Sequence, residues 1–204
     1  KSAISGIKAA QSIAPDAMQV AVFDTSFHQT IEEENFIYPI PYEWYTEYNI
    51  RKFGYHGTSH KYVSSRVNEI LGRYNTKVIT CHLGNGASVC AIEDGMCVNT
   101  TLGVSANSGL MMGSRSGDLD PTIVTYMMNK LNVTPDEMSN ILNKESGLLG
   151  VSGISSDSRD IEDGIKKGNS RCALAQKMFV RRVIDAIAKF YVELGGCDAI
   201  VFTA

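Results

Sequence analysis

The sequence contains 204 residues, of which 44% are hydrophobic, and its 19 basic and 22 acidic side chains leave a formal net charge of −3. This length and hydrophobic content suffice for the core of one or two globular domains. No window approaches the roughly 18 consecutive apolar residues of a membrane span, and Lys1 is not followed by the apolar core of a signal peptide. Because no basic cluster is present either, the sequence indicates no membrane or nucleic-acid partner and favours a small-molecule ligand.

The cysteines Cys81, Cys90, Cys97, Cys172 and Cys197 are odd in number and widely spaced, with no Cys-x-x-Cys pair. This pattern argues against a disulfide framework and against a structural zinc site. The thiols are therefore expected to be reduced and the protein to be cytoplasmic.

The first predicted element is a short buried strand over residues 19–23, which ends at Asp24. The stretch 28–48 is irregular and rich in aromatic residues and prolines, so a domain boundary is expected near its start. Beyond it, a helix is expected from Ser59, a capping residue, to about Leu71.

Three strands are expected next, over residues 77–82, 87–92 and 96–100. The turns Leu-Gly-Asn-Gly and Glu-Asp-Gly separate them, which favours a meander of antiparallel hairpins. A further helix is expected after Asp120, which would cap it, with Pro121 in its first turn.

The longest predicted helix runs from about residue 170 to 194 and ends at two glycines. Apolar side chains at helical spacing predict that one face of it lies in the core. These side chains are Val180, Val183, Ile184, Ile187, Phe190, Tyr191 and Leu194. A last strand is expected over residues 199–202, and the whole order of elements is that of an α/β protein. The chain has no initial methionine and stops just after this strand, so we interpret it as an interior fragment.

A glycine-rich turn follows the first strand of the meander in the sequence His-Leu-Gly-Asn-Gly. Gly84 and Gly86 allow a tight turn that exposes backbone N–H groups, which suits a phosphate approaching the main chain. An ordinary hairpin turn uses the same residues. His82, at the end of the strand, is equally typical of a hydrogen-bonded core histidine.

Two histidines, His56 and His60, lie in the segment Gly-Tyr-His-Gly-Thr-Ser-His. Gly57 between them and the absence of a nearby acidic ligand argue against a zinc site. An imidazole on a flexible loop, neutral or protonated, suits a transferring group that carries negative charge. We expect this role for His56 more than for His60, whose alternative is a packed side chain within the helix.

Three further polar segments are candidates for a site. Arg115 lies between small residues, where its guanidinium could bind a phosphoryl or carboxylate group. Asp118 and Asp120, just after it, either compensate its charge or cap a helix. Asp24 ends an apolar strand, where α/β proteins place acids that handle magnesium-bound phosphates, although a solvated turn aspartate has the same pattern. Asp157, in Ser-Ser-Asp-Ser-Arg-Asp, either caps a helix or meets a nucleoside.

Six segments occur in a characteristic order: VFDTSFHQT, RKFGYHGTSHKYV, ITCHLGNGASV, MMGSRSGDLDP, KESGLLGVSGISSDSRD and DAIVFTA. Together they closely resemble the acetate kinase family, which includes the propionate kinases. The resemblance implies the ribonuclease H-like, two-domain α/β fold of actin, sugar kinases and Hsp70. Residues 1–28 would form the end of the first domain, and residues 29–204 most of the second, nucleotide-binding domain.

The resemblance also implies roles for individual residues. The catalytic residues would be Asp24, His56 and Arg115. The ATP-binding residues would be His82, Leu83, Gly84, Asn85, Gly86, Asp157, Ser158 and Arg159. No metal ligand is assigned within these 204 residues.

The implied reaction is reversible phosphoryl transfer from ATP to acetate with Mg²⁺, giving acetyl phosphate and ADP in a cytoplasmic homodimer. A propionate or other short-chain acyl kinase is an alternative, and so is a noncatalytic nucleotide-binding interaction module. The isolated fragment is expected to be inactive.

Residues 105–110 replace a Thr-Pro-Leu-Glu-Gly-Leu-like stretch of the family, and Ser114 replaces a usual Thr. The change at 105–110 alters the loop that would position Arg115.

Overall fold

A computed structural model describes residues 2–204. Within them, four strands form one sheet in the order β3-β2-β1-β4. The strands are β1 (Lys77–Leu83), β2 (Ala87–Glu93), β3 (Met96–Thr100) and β4 (Ala199–Thr203). β1, β2 and β3 pair antiparallel, whereas β4 lies parallel to β1. The predicted meander and the predicted last strand are therefore confirmed.

The helices cover most of the remaining chain. They are α1 (Ser2–Ile13), a 3₁₀ helix (Ser26–Thr30), α2 (Glu33–Phe36), α3 (Glu43–Tyr48), α4 (Gly57–Leu71), α5 (Pro121–Leu131), α6 (Pro135–Lys144), α7 (Gly147–Ser152), α8 (Ser158–Lys166) and α9 (Ser170–Glu193). As predicted, the Asp120 side chain caps α5 by accepting the Thr122 N–H. α4 begins at Gly57, two residues before the predicted Ser59 cap. None of these described helices is both long and apolar enough to cross a membrane.

The predicted strand over residues 19–23 was wrong. These residues form no regular secondary structure and pair with no strand in the described part of the chain. Val20, Val22 and Phe23 are 75%, 75% and 70% exposed. An apolar segment becomes a buried strand only when a neighbouring strand takes up its backbone hydrogen bonds. That condition is nonlocal, so the apolar pattern alone could not establish it.

Helices cover both faces of the sheet, and the alternation of side chains along the strands separates two parts of the core. Towards α9 the sheet presents Ile79, Cys81, Val89 and Ala91, which pack with Phe190 and Leu194. Towards α4 and the 3₁₀ helix it presents Val78, Cys90 and Ile92, which pack with Ile31 and Val67. β1 and β2 are buried on both faces, which explains their nearly continuous apolar sequences.

The buried face of α9 is narrower than predicted. Val183, Phe190 and Leu194 are buried, but Val180, Ile184 and Tyr191 are half-exposed. A helix that packs on a sheet buries one stripe, and the residues beside that stripe face outward. Part of the predicted apolar face of α9 is therefore surface.

The capping box of α6 allows a test of the local structure. The Thr134 side chain accepts the Glu137 N–H, and the Glu137 carboxylate accepts the Thr134 N–H. We expect Thr134→Ala to lower the free energy of unfolding by about 1 kcal/mol, because the cap is lost. Thr125→Ala is the matched control, since that exposed hydroxyl donates only to Thr122 within its own helix. Urea denaturation of both variants measures the difference, and equal losses would contradict the assignment of the cap.

Candidate active site

The carboxylate of Asp24 holds the start of α4. Its oxygens accept the backbone N–H of His56, at 2.6 Å, and that of Thr58, at 3.3 Å. The Gly57 N–H donates to the Asp24 carbonyl at 3.0 Å. A Cβ atom at Gly57 would lie 2.1 Å from that carbonyl oxygen, so this contact requires glycine. The remaining surface of the Asp24 carboxylate is exposed to solvent.

His56 occupies the N-cap position of α4 with a left-handed backbone, φ +58° and ψ +20°. Residues other than glycine adopt this conformation rarely and only when their surroundings impose it. Here its Nδ1 lies 2.8 Å from Ser88 Oγ on β2. The His82 ring lies beside it, with 4.2 Å between the two ring centroids. His56 is thus held by contacts to both the main chain and the side chain.

His60 lies one turn further along α4 and is fully buried. Its Nε2 lies 2.8 Å from Ser88 Oγ, and its Nδ1 lies 2.7 Å from Thr80 Oγ1. Both ring nitrogens are therefore engaged by hydroxyl groups of the sheet. The packed role expected for His60 agrees with these contacts, and Ser88 bridges the two histidines.

This chain of hydrogen bonds can run in two directions, which determine the tautomer of His56. In one direction, Thr80 donates to His60, His60 Nε2–H donates to Ser88, and Ser88 donates to His56 Nδ1. The proton of a neutral His56 ring is then on Nε2, whereas the reverse direction would place it on Nδ1. Nε2 is the nitrogen on the side of Gly86, since a Cβ atom built at Gly86 would lie 3.3 Å from it.

The pKa values favour neutral rings in this cluster. Burial, then the neighbouring His82, lowers the pKa of His56 from 6.5 to about 4, although Asp24 opposes the shift. Burial likewise lowers the pKa of His60 well below 6.5. Burial lowers the pKa of His82, and Asp24 partly offsets this. Of the two protonation states considered for His56, the neutral imidazole is the one that this environment stabilises at neutral pH.

Arg115 approaches the same point from the loop that follows Met112. Its Nη1 donates to the Ala106 carbonyl at 3.0 Å. A Cβ atom at Gly86 would lie 3.3 Å from Arg115 Nη1 as well as from His56 Nε2. Glycine at position 86 therefore lets a cation and an imidazole both approach the same point of the main chain. The three predicted catalytic residues and the glycine-rich turn are brought together.

The loop 105–110 is in direct contact with Arg115 through the Ala106 carbonyl. Asp118 holds this loop by accepting the Gly109 N–H at 2.7 Å. In the described residues, neither Asp118 nor Asp120 pairs with Arg115. Asp120 therefore caps a helix, as one of the two alternatives stated, whereas Asp118 neither caps a helix nor compensates Arg115 and instead holds the loop.

A cavity of about 640 Å³ adjoins the glycine-rich turn. Such a volume accommodates a ligand of small-molecule size. The cavity is lined by Leu83, Gly84, Asn85, Gly113, Leu148, Ser156, Asp157, Ser158, Arg159, Ile161, Glu162, Gln176, Phe179 and Val180. Six of the eight predicted ATP-binding residues are among them. The other two, His82 and Gly86, lie beside His56 instead.

Asp157 is the N-cap of α8, with its carboxylate accepting the backbone and side-chain N–H groups of Arg159. These hydrogen bonds lower the pKa of Asp157 to about 2.

Gln176 and Phe179 of α9 also line the cavity, and the sequence provided no indication of this. Val180, which we assigned to the core, lines it too, because the outer edge of the α9 stripe faces the cavity.

The whole chain, residues 1–204, matches the model of the acetokinase family. The chain belongs to this family. It is 54% identical over 203 residues to the acetate kinase of Treponema denticola, covering 98% of this chain and 51% of that protein. The chain spans about half the length of the curated relatives it matches.

Solved structures agree with this assignment. A Porphyromonas gingivalis acetate kinase matches with a TM-score of 0.93 and 44% identity, over 97% of this chain and 50% of the other. A propionate kinase from Francisella tularensis matches with the same TM-score and identity, over 97% and 51%. The fold is therefore that of these kinases, with one open mixed sheet, consistent with the expected actin- and sugar-kinase-like class. The division at residue 28 stays a prediction.

The lowered histidine pKa values predict how stability depends on pH. An unfolded histidine takes up a proton near pH 6.5, whereas folded His56 does so only near pH 4. Between these values the unfolded chain binds more protons, so lowering the pH favours unfolding. We therefore expect the urea midpoint to fall as the pH is lowered from about 7 to about 5.

Replacing His60 removes one of the groups that cause this pH dependence. The His60→Gln variant should therefore show a smaller loss of stability over the same pH range. Lys61→Gln is the control, at the exposed neighbouring position of α4, because a lysine does not titrate in this range. An unchanged pH dependence in His60→Gln would show that His60 is not a buried neutral base.

Proposed function

We propose that the protein containing this chain transfers the γ-phosphoryl group of ATP reversibly to acetate, giving acetyl phosphate and ADP. The observation that carries this proposal is the convergence of Arg115 Nη1 and His56 Nε2 on Gly86. The turn 82–86 connects that point to the cavity of about 640 Å³, which we assign to the nucleotide. Membership in the acetokinase family supports the choice of reaction.

In the proposed reaction, a carboxylate oxygen of acetate forms a bond to the γ-phosphorus while the bond from phosphorus to the ADP oxygen breaks. Acetate is already ionised at neutral pH, so no general base is needed to remove a proton. Catalysis then consists of positioning the reactants and stabilising charge on the phosphoryl oxygens. Arg115 supplies a fixed positive charge, and His56 supplies an N–H donor from a neutral ring.

Asp24 fits the role of a group that faces Mg²⁺. Magnesium prefers carboxylate and phosphate oxygens and retains several waters. Each Asp24 oxygen accepts one backbone N–H, and the exposed carboxylate has further lone pairs available. When bound with ATP, Mg²⁺ would neutralise part of the phosphate charge. The two N–H bonds keep the Asp24 carboxylate oriented towards the start of α4.

The ATP-binding role of the turn follows from its backbone. Gly84 and Asn85 line the cavity, and a Cβ atom at Gly84 would approach the Gly86 carbonyl at 3.3 Å. A main chain without side chains at Gly84 and Gly86 allows a phosphate to approach its N–H groups closely. Asp157, Ser158 and Arg159, elsewhere on the cavity wall, are assigned to the nucleoside end.

A propionate or other short-chain acyl kinase is the second candidate, favoured by the structural match to the Francisella propionate kinase. The two candidates share the phosphoryl-transfer residues and differ in acyl preference. Relative turnover of acetate, propionate and butyrate by the full-length protein distinguishes them.

We also place the enzyme in the cytoplasm, which the five free cysteines support. The homodimer stays a prediction.

Arg115→Ala tests the proposal. Without its guanidinium, the charge that develops on the phosphoryl group is less stabilised, so kcat/KM should fall by roughly 100-fold, or about 3 kcal/mol. A hydroxamate assay of acetyl phosphate, with the full-length protein, acetate, ATP and Mg²⁺, measures the rate.

Arg66→Ala is the matched control, because Arg66 forms a surface ion pair with Glu69 on the exposed side of α4. It should leave the rate unchanged. Wild-type protein that binds ATP but makes no acyl phosphate from any of the three acids would contradict the enzyme proposal and support the nucleotide-binding module.

A further inference from the structure

A cluster of one imidazole and two thiols lies on the face of the sheet opposite α9. His28 comes from the 3₁₀ helix, Cys90 from β2 and Cys97 from β3. Their exposed fractions are 2%, 0% and 1%. One ligand atom of each residue lies within 4.8 Å of the others. The phosphoryl-transfer residues do not include this cluster.

The strand pairing explains how the two cysteines meet. β2 and β3 pair antiparallel with a bulge between Ala91 and Ile92, so that Ile92 is opposite Cys97 and Cys90 is opposite Thr100. Bulges redirect side chains relative to a regular ladder. Here the Cys90 and Cys97 sulfur atoms approach to 3.4 Å on the same face.

The orientation of His28 favours metal binding. Its Nε2 lies 2.9 Å from the Tyr55 carbonyl oxygen. A carbonyl only accepts, so the ring proton is on Nε2 and the Nδ1 lone pair is left for another partner. Nδ1 lies 3.1 Å from Cys97 Sγ. A histidine that donates one N–H to a backbone carbonyl while the other nitrogen faces a ligand position is the usual arrangement at metal sites.

The two sulfur atoms have no strong partner outside the cluster. Cys90 Sγ is 3.7 Å from the Ala91 carbonyl, and Cys97 Sγ is 3.7 Å from the Asn99 carbonyl. Thiols are weak donors, so these contacts contribute little. The sulfurs and the imidazole nitrogen therefore make their main contacts with one another.

We propose that His28, Cys90 and Cys97 form a buried site for a soft, thiophilic metal ion, of which Zn²⁺ is the ion to test. Around a tetrahedral zinc ion, a thiolate and an imidazole or a second thiolate lie about 3.6–3.8 Å apart. The distances of 3.1 Å and 3.4 Å seen here require the ligands to separate by a few tenths of an ångström. Each thiol loses its proton to solvent as its bond to the metal forms, and His28 binds through its lone pair.

Such an ion would also support the active site. The Tyr55 carbonyl that orients His28 belongs to the residue just before His56. Gly54, with φ +71°, lies against the His28 ring, where a Cβ atom would be 2.5 Å from it. A metal that fixes His28 would therefore restrict the segment that leads into the strained backbone of His56.

Sequence spacing alone argued against zinc, because the ligands come from three separate segments. A six-residue separation of the cysteines does not match the spacings of structural zinc motifs. The hairpin, its bulge and the 3₁₀ helix bring the ligands together only in the folded chain.

The test measures the metal content of the full-length protein, purified under reducing conditions and dialysed against trace Zn²⁺. Elemental analysis should find one zinc ion per chain in the wild type. Cys90→Ala and Cys97→Ala should each lose it, whereas Cys172→Ala should retain it. Cys172 is the matched control because it is equally buried but packs in a different cluster, with Met111 and Leu148. This readout does not depend on kinase activity.

Cadmium titration of the wild type provides a second measurement that needs no variant to fold. Thiolate-to-cadmium absorbance should saturate at one equivalent and be displaced by Zn²⁺. Wild-type protein without zinc above background and without a saturable cadmium signal would overturn the proposal. Retention of zinc in both cysteine variants would overturn it as well, and so would a Cys90–Cys97 disulfide that persists under the reducing conditions.

Discussion

The arrangement of the candidate site depends on how the first turn of α4 is held. The Asp24 carboxylate and carbonyl take up the backbone N–H groups of His56, Gly57 and Thr58. This anchors the helix start to the segment before the 3₁₀ helix and allows His56 to keep its left-handed backbone. Without the Asp24 contacts, those N–H groups at the start of the helix would lack partners.

The sheet fixes His56 from the other side. Ser88 on β2 contacts both His56 and His60, so the position of one imidazole is linked to that of the other. Because the rings are partly or fully removed from water, their neutral forms are favoured over the charged ones. The consequence for the proposed chemistry is a division of roles, in which Arg115 carries the positive charge and His56 contributes a hydrogen bond.

The two faces of the sheet serve different purposes. α9 packs against one face and contributes Gln176, Phe179 and Val180 to the cavity wall. The opposite face buries the imidazole and thiols of His28, Cys90 and Cys97. The turn 82–86 lies at the end of β1, where it meets both the cavity and the histidines. A single strand end thus joins the proposed nucleotide site to the residues that we propose for phosphoryl transfer.

Local signals in the sequence predicted local structure well. The turns between β1, β2 and β3 and the Asp120 cap depend on neighbouring residues, and the structure confirms them. The strand over 19–23 was wrong, because strand formation depends on a partner distant in sequence. The order of the motifs along the chain indicated the family. It could not show that Arg115 and His56 both lie close to Gly86. The Cys90–Cys97 contact depends on a bulge, which has no clear sequence pattern.

The central claim is that the site holds a neutral His56 whose Nε2–H lies on the side of Gly86. NMR of the full-length protein with isotope-labelled histidine tests this directly. The account predicts a His56 pKa of about 4 and a proton on Nε2 at neutral pH. A His56 pKa near the ordinary value of 6.5, or a neutral ring with its proton on Nδ1, would contradict it.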